Sequence, residues 1–174
     1  VNCPSCGYDN IAGVDACEKC GQGLSEDWAE DQSQLGIFAR PLTELGVRLP
    51  VCVSADTSLA EVVALFKEKG VGCVFVTGET QELVGIFTER DVLYRVAGLI
   101  EQLEEVPVES LMTPRPSSLK STLPISHALN LMGAHGFRHI PLVDDEGKPT
   151  GFISSRDVMR FIEDNFAGTV ESNK

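Results

Sequence analysis

The sequence predicts an α+β protein, two copies of one β-α-β-β-α unit packed as a pseudo-symmetric pair, preceded by a small segment that binds zinc through four cysteines. Three observations carry this expectation. The stretch Gly85-Ile86-Phe87-Thr88-Glu89-Arg90-Asp91-Val92 returns, 66 residues on, as Gly151-Phe152-Ile153-Ser154-Ser155-Arg156-Asp157-Val158. At the same offset and without a gap, Pro41 matches Pro107, Leu45 matches Leu111, Pro50 matches Pro116, Leu65 matches Leu131 and Gly70 matches Gly136, which is how a duplicated supersecondary unit reads. Ahead of both copies, Cys3, Cys6, Cys17 and Cys20 lie as two C-x2-C pairs, each followed by a glycine.

Composition bounds the function. At 174 residues and 43% hydrophobic content the chain has enough apolar material for a core. A formal charge of −12 argues against a nucleic-acid surface, which needs cations to neutralise phosphates. The longest apolar run, near 71–76, is the length of a strand, and the start of the sequence shows no apolar signal region. Six cysteines without secretory features point to a reducing compartment, where paired thiols hold metal more often than they form disulfides. The expectation is a cytoplasmic protein.

Residues 1–24 form the first segment. Zn²⁺ takes four soft donors in a tetrahedron, and a C-x2-C turn converges two thiolates while the following Gly7 or Gly21 relieves the turn. Four cysteine ligands leave no open position, so the metal is expected to be structural. Tyr8, Ile11, Val14 and Leu24 are too few to fold the segment alone, and metal binding would supply the difference. A pair of disulfides and a C-x2-C redox centre are the alternatives. The pattern resembles the short zinc ribbons found at the ends of many prokaryotic proteins. Acidic Asp9, Asp15 and Glu18 face only Lys19, so the expected partner of the ribbon is a protein. Replacing Cys17 with Ser is expected to unfold the ribbon and spare the repeats. Residues 25–40, with Glu26, Asp27, Glu30 and Asp31, read as an acidic linker in which Trp28 is an apolar anchor.

The repeats occupy 41–106 and 107–174. In the first, Ser58 and Glu61 make a capping box, and Leu59, Val62, Val63 and Phe66 follow at helical spacing up to Gly70. In the second, Pro124 opens a helix with Ile125, Ala128, Leu129 and Met132 on one side, up to Gly136. Each helix precedes a short strand, over 73–77 and 139–143, a polar turn, and a second strand running into the repeated signature. One face of each small sheet is left uncovered, which is why the copies are expected to pack on each other. Cys52 and Cys73 read as small buried hydrophobes.

The order β-α-β-β-α, the duplication, the signature G-h-h-[ST]-x-x-D and the Leu111-Met112-Thr113 lead-in to the second copy together resemble CBS domains, named from cystathionine β-synthase. The likeness covers about 130 residues. It implies a regulatory module that binds an adenine nucleotide in the cleft between copies, as in the γ subunit of AMP-activated kinase, and that dimerises into a flat four-domain disc. By the same resemblance Asp91 with Thr88, and Asp157 with Ser154, receive ribose and phosphate, while Arg138 and His139, which stand where the first copy has Gly72 and Cys73, hold phosphates. Arg90 and Arg156 are further cationic candidates. The chemistry suits the ligand, since an ionised carboxylate accepts from two vicinal hydroxyls and a helix N-terminus favours phosphate. Thr88-x-x-Asp91 and Ser154-x-x-Asp157 also read as helix caps, and His139 as a satisfied interior histidine.

The expected function is therefore a non-enzymatic AMP-, ADP- or ATP-type sensor with a zinc ribbon for protein interaction. No nucleophile–base pair or P-loop stands out. The alternative is a structural or adaptor protein with an unliganded pair. A homodimer is expected through Leu99, Ile100 and Leu103 of the first copy and Phe161, Ile162 and Phe166 of the second.

Overall fold

In the first copy Ser58 accepts a hydrogen bond from Glu61 N (3.3 Å) and caps helix α1, Leu59–Lys69, which ends at Gly70 with φ 62°. A positive φ costs glycine nothing, which is why the helix stops there. Leu59, Val62 and Phe66 are its buried stripe. Strand β1, Cys52–Ser54, pairs parallel with β2, Cys73–Thr77, and β2 pairs antiparallel with β3, Leu83–Thr88. Every residue of β2 is buried, as expected of a strand covered on both faces. Cys73 is in that core, whereas Cys52 is exposed, because the alternation of β1 buries Val53 instead.

The coordinates are those of a computed structural model, and the residues it describes are 1–3, 8–19, 23–24, 32–96, 98 and 100–166. Cys6, Cys20, Trp28 and Leu99 lie outside the described residues, as do the side chains of Ile100 and Phe166.

The chain forms two compact units that cut across the sequence copies. One contains Val1–Arg48, Ser117–Leu142 and Phe152–Lys174; the other contains Leu49–Pro116 and Val143–Gly151. The cause is visible in the backbone. In the first unit Leu42 N donates to Leu123 O (2.9 Å), Ile125 N donates to Arg40 O (2.9 Å), and Arg48 bridges Phe152. In the second unit the same bonds recur at the repeat offset: Val108 N donates to Thr57 O (2.8 Å) and Leu59 N to Val106 O (2.9 Å). There β4, Thr113–Pro114, is added to β3, completing a sheet of order β1-β2-β3-β4. Each unit is thus closed by the lead-in segment of the other copy, whose Leu42 and Leu45, or Val108, are buried in it.

The second unit has a core of Val53, Leu59, Val62, Phe66, Val74, Val76, Phe87, Val96 and Val108, with the Phe66 and Phe87 rings stacked at 6.2 Å. Burying each such side chain is worth about 1.5–3 kcal/mol. Gly85 of the signature sits where the lead-in crosses: a Cβ there would overlap the Met112 sulfur and lie 2.9 Å from its Cγ. After β3, helix α2 has α geometry only over Glu89–Asp91 and continues as a π-turn over Val92–Val96. The equivalent segment of the other copy is an unbroken helix. Gly98, where the other copy has Asp164, lowers helix propensity in the first copy.

In the first unit, helix α3, Ile125–His135, is capped by Gly136 at φ 66°, and strands β5, His139–Val143, and β6, Pro149–Ser154, form a two-stranded hairpin whose tip, Val143–Gly151, is counted with the second unit. Helix α4, Ser155–Phe166, follows directly. The expected first strand of this copy is reduced to a single parallel bridge, Leu119 to Leu142. Pro141 explains the loss. Its counterpart Phe75 donates its N–H to Val51 O (2.9 Å), and a proline has no N–H to give.

The core of this unit joins Leu42, Leu45, Leu119, Ile125, Leu131, Ile140, Leu142 and Ile153 to Phe161 and to Cys3 and Cys17 of the N-terminal segment. Phe161 and Ile162 therefore pack inward, and Leu103 is half-buried against the core of the other unit. Among the described residues, the large apolar side chains exposed on α2 and α4 are Leu93, Tyr94 and Met159. The second half of the linker is 3-10 turns over Gln32–Ala39, kinked at Gly36, with Ile37 and Phe38 resting on the core.

Candidate functional site

Each signature closes on its own carboxylate. In the second unit Asp91 Oδ2 accepts from Thr88 N (2.9 Å) and Thr88 Oγ1 (2.7 Å), and Asp91 N donates back to Thr88 Oγ1 (3.3 Å), a complete capping box. In the first unit Asp157 Oδ2 accepts from Ser154 N (2.8 Å) and Ser154 Oγ (2.6 Å). In both copies one carboxylate oxygen fastens the strand to the helix and the other is held by an arginine.

The two arginines come from different places. Asp91 Oδ1 lies 3.4 Å from Nε of Arg95, one turn along its own helix, and Arg95 Nη1 also donates to Leu111 O (2.7 Å). Asp157 Oδ1 lies 2.6 Å from Nη2 of Arg48, which belongs to the lead-in segment. The environments differ as well, with the Asp157 side chain 3% exposed and that of Asp91 13%. Burial pushes the Asp157 carboxyl up, but the Ser154 hydrogen bonds and the Arg48 guanidinium outweigh it and hold it below the usual carboxylate range.

Around Asp157 the first unit assembles a small constellation. The Arg48 guanidinium carbon stands 5.9 Å from the centre of the Phe152 ring, and the His139 ring lies 6.2 Å from Phe152 on the other strand. His139 is half-buried, while Arg138 is exposed at the start of the hairpin and its carbonyl accepts from Ser155 N (2.9 Å). Glu89 N donates to Gly72 O (3.1 Å) at the matching point of the other unit, where Cys73 is buried and no cation stands. Arg156 is exposed, and Arg90 is exposed with its guanidinium over Tyr94 at 5.6 Å. Thr88, Asp91, Ser154, Asp157 and His139 are thus gathered at the signatures, and Arg90, Arg138 and Arg156 extend to solvent.

Sequence reasoning missed both arginines, and Arg48 was the better hidden. It carries no motif, falls outside the repeated signature, and is separated from Asp157 by 109 positions.

Among the described residues, the N-terminal segment carries two isolated β-bridges. Asn2 bridges Asp9 with Cys3 N donating to Tyr8 O (2.8 Å), and Ala16 bridges Gly23 with Leu24 N donating to Asp15 O (2.8 Å). In the sequence, each bridge flanks one C-x2-C pair. Cys3 and Cys17 are each 2% exposed. Asn10, also buried, donates through Nδ2 to Tyr8 O (3.0 Å) and to the Cys17 sulfur (3.4 Å), and its Oδ1 accepts from Glu18 N (2.9 Å). Among the described residues no group of three His, Cys, Asp or Glu side chains is placed to hold a metal, two of the four expected ligands lying outside them.

A family model, the CBS domain, matches this chain twice, over residues 44–98 and 108–164. The chain belongs to the CBS-domain family. By sequence the chain is similar to an uncharacterized protein of Methanopyrus kandleri, 28% identical over 128 residues, which are 74% of this chain and 65% of that protein's length. Among solved structures, the CBS domain pair of protein MJ0100 in complex with 5-methylthioadenosine and S-adenosyl-L-methionine superposes with a TM-score of 0.63 at 20% identity, covering 70% of this chain and 98% of that one. CBSX2 in complex with AMP gives 0.59 at 24% identity, covering 78% and 99%. At these identities the likeness is one of fold, and the bound ligands are those proteins' own. Among the described residues no helix is long and apolar enough to cross a membrane.

Proposed function

We propose that this CBS pair is a non-enzymatic sensor of an adenine nucleotide, bound at the signature carboxylates and read out through a partner of the zinc ribbon. The observation that carries the reading is the pair of equivalent signature sites, in which each carboxylate keeps one oxygen for the fold and offers the other to a guanidinium, whose place a ribose hydroxyl can take while the freed guanidinium receives a phosphate. The ligands of MJ0100 and CBSX2 support the same chemistry. The test is a thermal-shift series with AMP, ADP, ATP, S-adenosylmethionine and NAD. A ligand that binds the folded state raises its melting temperature by mass action, so at least one should do so, and a series with no shift overturns the reading. Near-complete burial of Asp157 behind Arg48 favours the second reading, an adaptor whose pair stays unliganded.

For zinc, the donor chemistry and the burial of Cys3 and Cys17 fit. Cys3 and Cys17 would be joined by Cys6 and Cys20, and the Asn10 N–H on the Cys17 sulfur is the kind of outer contact that steadies a thiolate ligand. The metal would hold the ribbon's fold, and a reducing cytoplasm is the compartment in which such thiolates persist.

The module is further proposed to dimerise through α2 and α4. Leu93 and Met159, which correspond at the repeat offset, are 74% and 54% exposed, and Tyr94 is 76% exposed. Three large apolar groups in the open call for cover. Leu93→Glu combined with Met159→Glu should convert a dimer to a monomer in light scattering, and a parent protein that is already a monomer at tens of micromolar would refute the interface.

A further inference from the structure

Resting on the nucleotide reading above, we infer that Arg48 gates the Asp157 site and makes it select nucleosides that carry an anionic group over neutral ones. Asp157 presents no open oxygen. Its Oδ2 is fixed by Ser154 N and Oγ at 2.8 and 2.6 Å, its Oδ1 by Arg48 Nη2 at 2.6 Å, and the side chain is 3% exposed. A ribose diol therefore reaches the carboxylate only by taking Oδ1 from the guanidinium.

That exchange is unfavourable by itself. A neutral hydroxyl replaces a charged donor on a carboxylate, and the charged hydrogen bond is the stronger of the two. The guanidinium is not lost from the neighbourhood, however. Arg48 is anchored at its backbone, its N donating to Phe152 O (3.1 Å) and its O accepting from Phe152 N (3.0 Å), so a released side chain stays beside the signature strand. With the side chain 45% exposed it has room to turn. A ligand that brings its own phosphate or carboxylate repays the guanidinium for the oxygen it takes, and a neutral nucleoside does not. The Asp91 site lacks this device, because its arginine lies on its own helix at 3.4 Å and divides its donors between the carboxylate and Leu111 O.

Titration calorimetry of AMP and adenosine, on the full chain in an Asp91→Ala background so that only the Asp157 site reports, tests the gate. Arg48→Leu should lower the preference for AMP over adenosine by about tenfold or more, the worth of one charge-assisted hydrogen bond, with adenosine binding as well as or better than before. Arg48→Lys should restore part of the preference. If Arg48→Leu does not fold, Arg48→Gln and Arg48→Lys carry the same comparison. Binding of both ligands with an unchanged preference overturns the gate and leaves the nucleotide reading standing. AMP binding lost on Asp91→Ala alone overturns the gate by placing the ligand in the other unit. No binding to the parent chain overturns both.

Discussion

Asp157→Ala is expected to destabilise the protein by about 3 kcal/mol and Asp91→Ala by about 1, although the two residues occupy matched positions in one motif. Removing Asp157 strips Ser154, itself buried, of the acceptor for both its N–H and its hydroxyl, and leaves Arg48 without its partner. An unsatisfied buried donor costs about 1–3 kcal/mol, and a carboxylate cap adds about 0.5–2. The Arg48 contribution is smaller than for a fully buried pair, because the guanidinium is 45% exposed and regains water. At Asp91 the cap is more open and the ion pair longer, so the loss approaches that of an ordinary cap. Urea midpoints of the two variants decide it, and equal losses would mean that burial does not separate the sites.

The same carboxylate sets an acid limit. Its folded pKa lies below the unfolded value, so the stability it contributes is complete above the unfolded pKa, near ~4, and is lost as pH falls through the folded one. Asp157→Asn, which cannot titrate, should lack this component of the acid dependence.

What the sequence disclosed was what local chemistry determines. Helix α1 begins and ends where Ser58 and Gly70 say it should, and α3 runs up to Gly136. The loss of a strand ahead of β5 was missed, although Pro141 stands where Phe75 donates its N–H. Pairings between copies were not legible. The exchange of lead-in segments depends on which strand edge each one reaches, and no periodicity encodes that. Arg48 was hidden for this reason, lying in a segment that packs with the copy it does not belong to by sequence. Of the apolar residues expected to face outward, Phe161 completes its own core and Leu103 and Ile162 are half-buried, while Leu93 and Met159 are exposed.

Cys17→Ser is expected to abolish binding of one equivalent of zinc and, with it, to weaken the first unit well beyond the ribbon. Structural zinc supplies about 10–16 kcal/mol in isolated zinc-finger peptides, and a segment with so few apolar residues has little else to fold it. From the sequence the repeats would be spared. The structure argues otherwise, because Cys3 and Cys17 are 2% exposed and belong to one core with Leu42, Leu45, Ile125 and Leu131, while Leu24 and Phe38 pack on that core beside them. Collapse of the ribbon would uncover that side of the cluster, and α3, whose Ile125 and Leu131 are buried in it, should lose protection in amide hydrogen exchange. The strands of the second unit, whose core is separate, should keep theirs. Zinc present in the parent and absent in Cys17→Ser, with α3 as protected as before, would show that the ribbon and the first unit fold independently; a parent purified under reducing conditions without zinc would remove the metal from the account altogether.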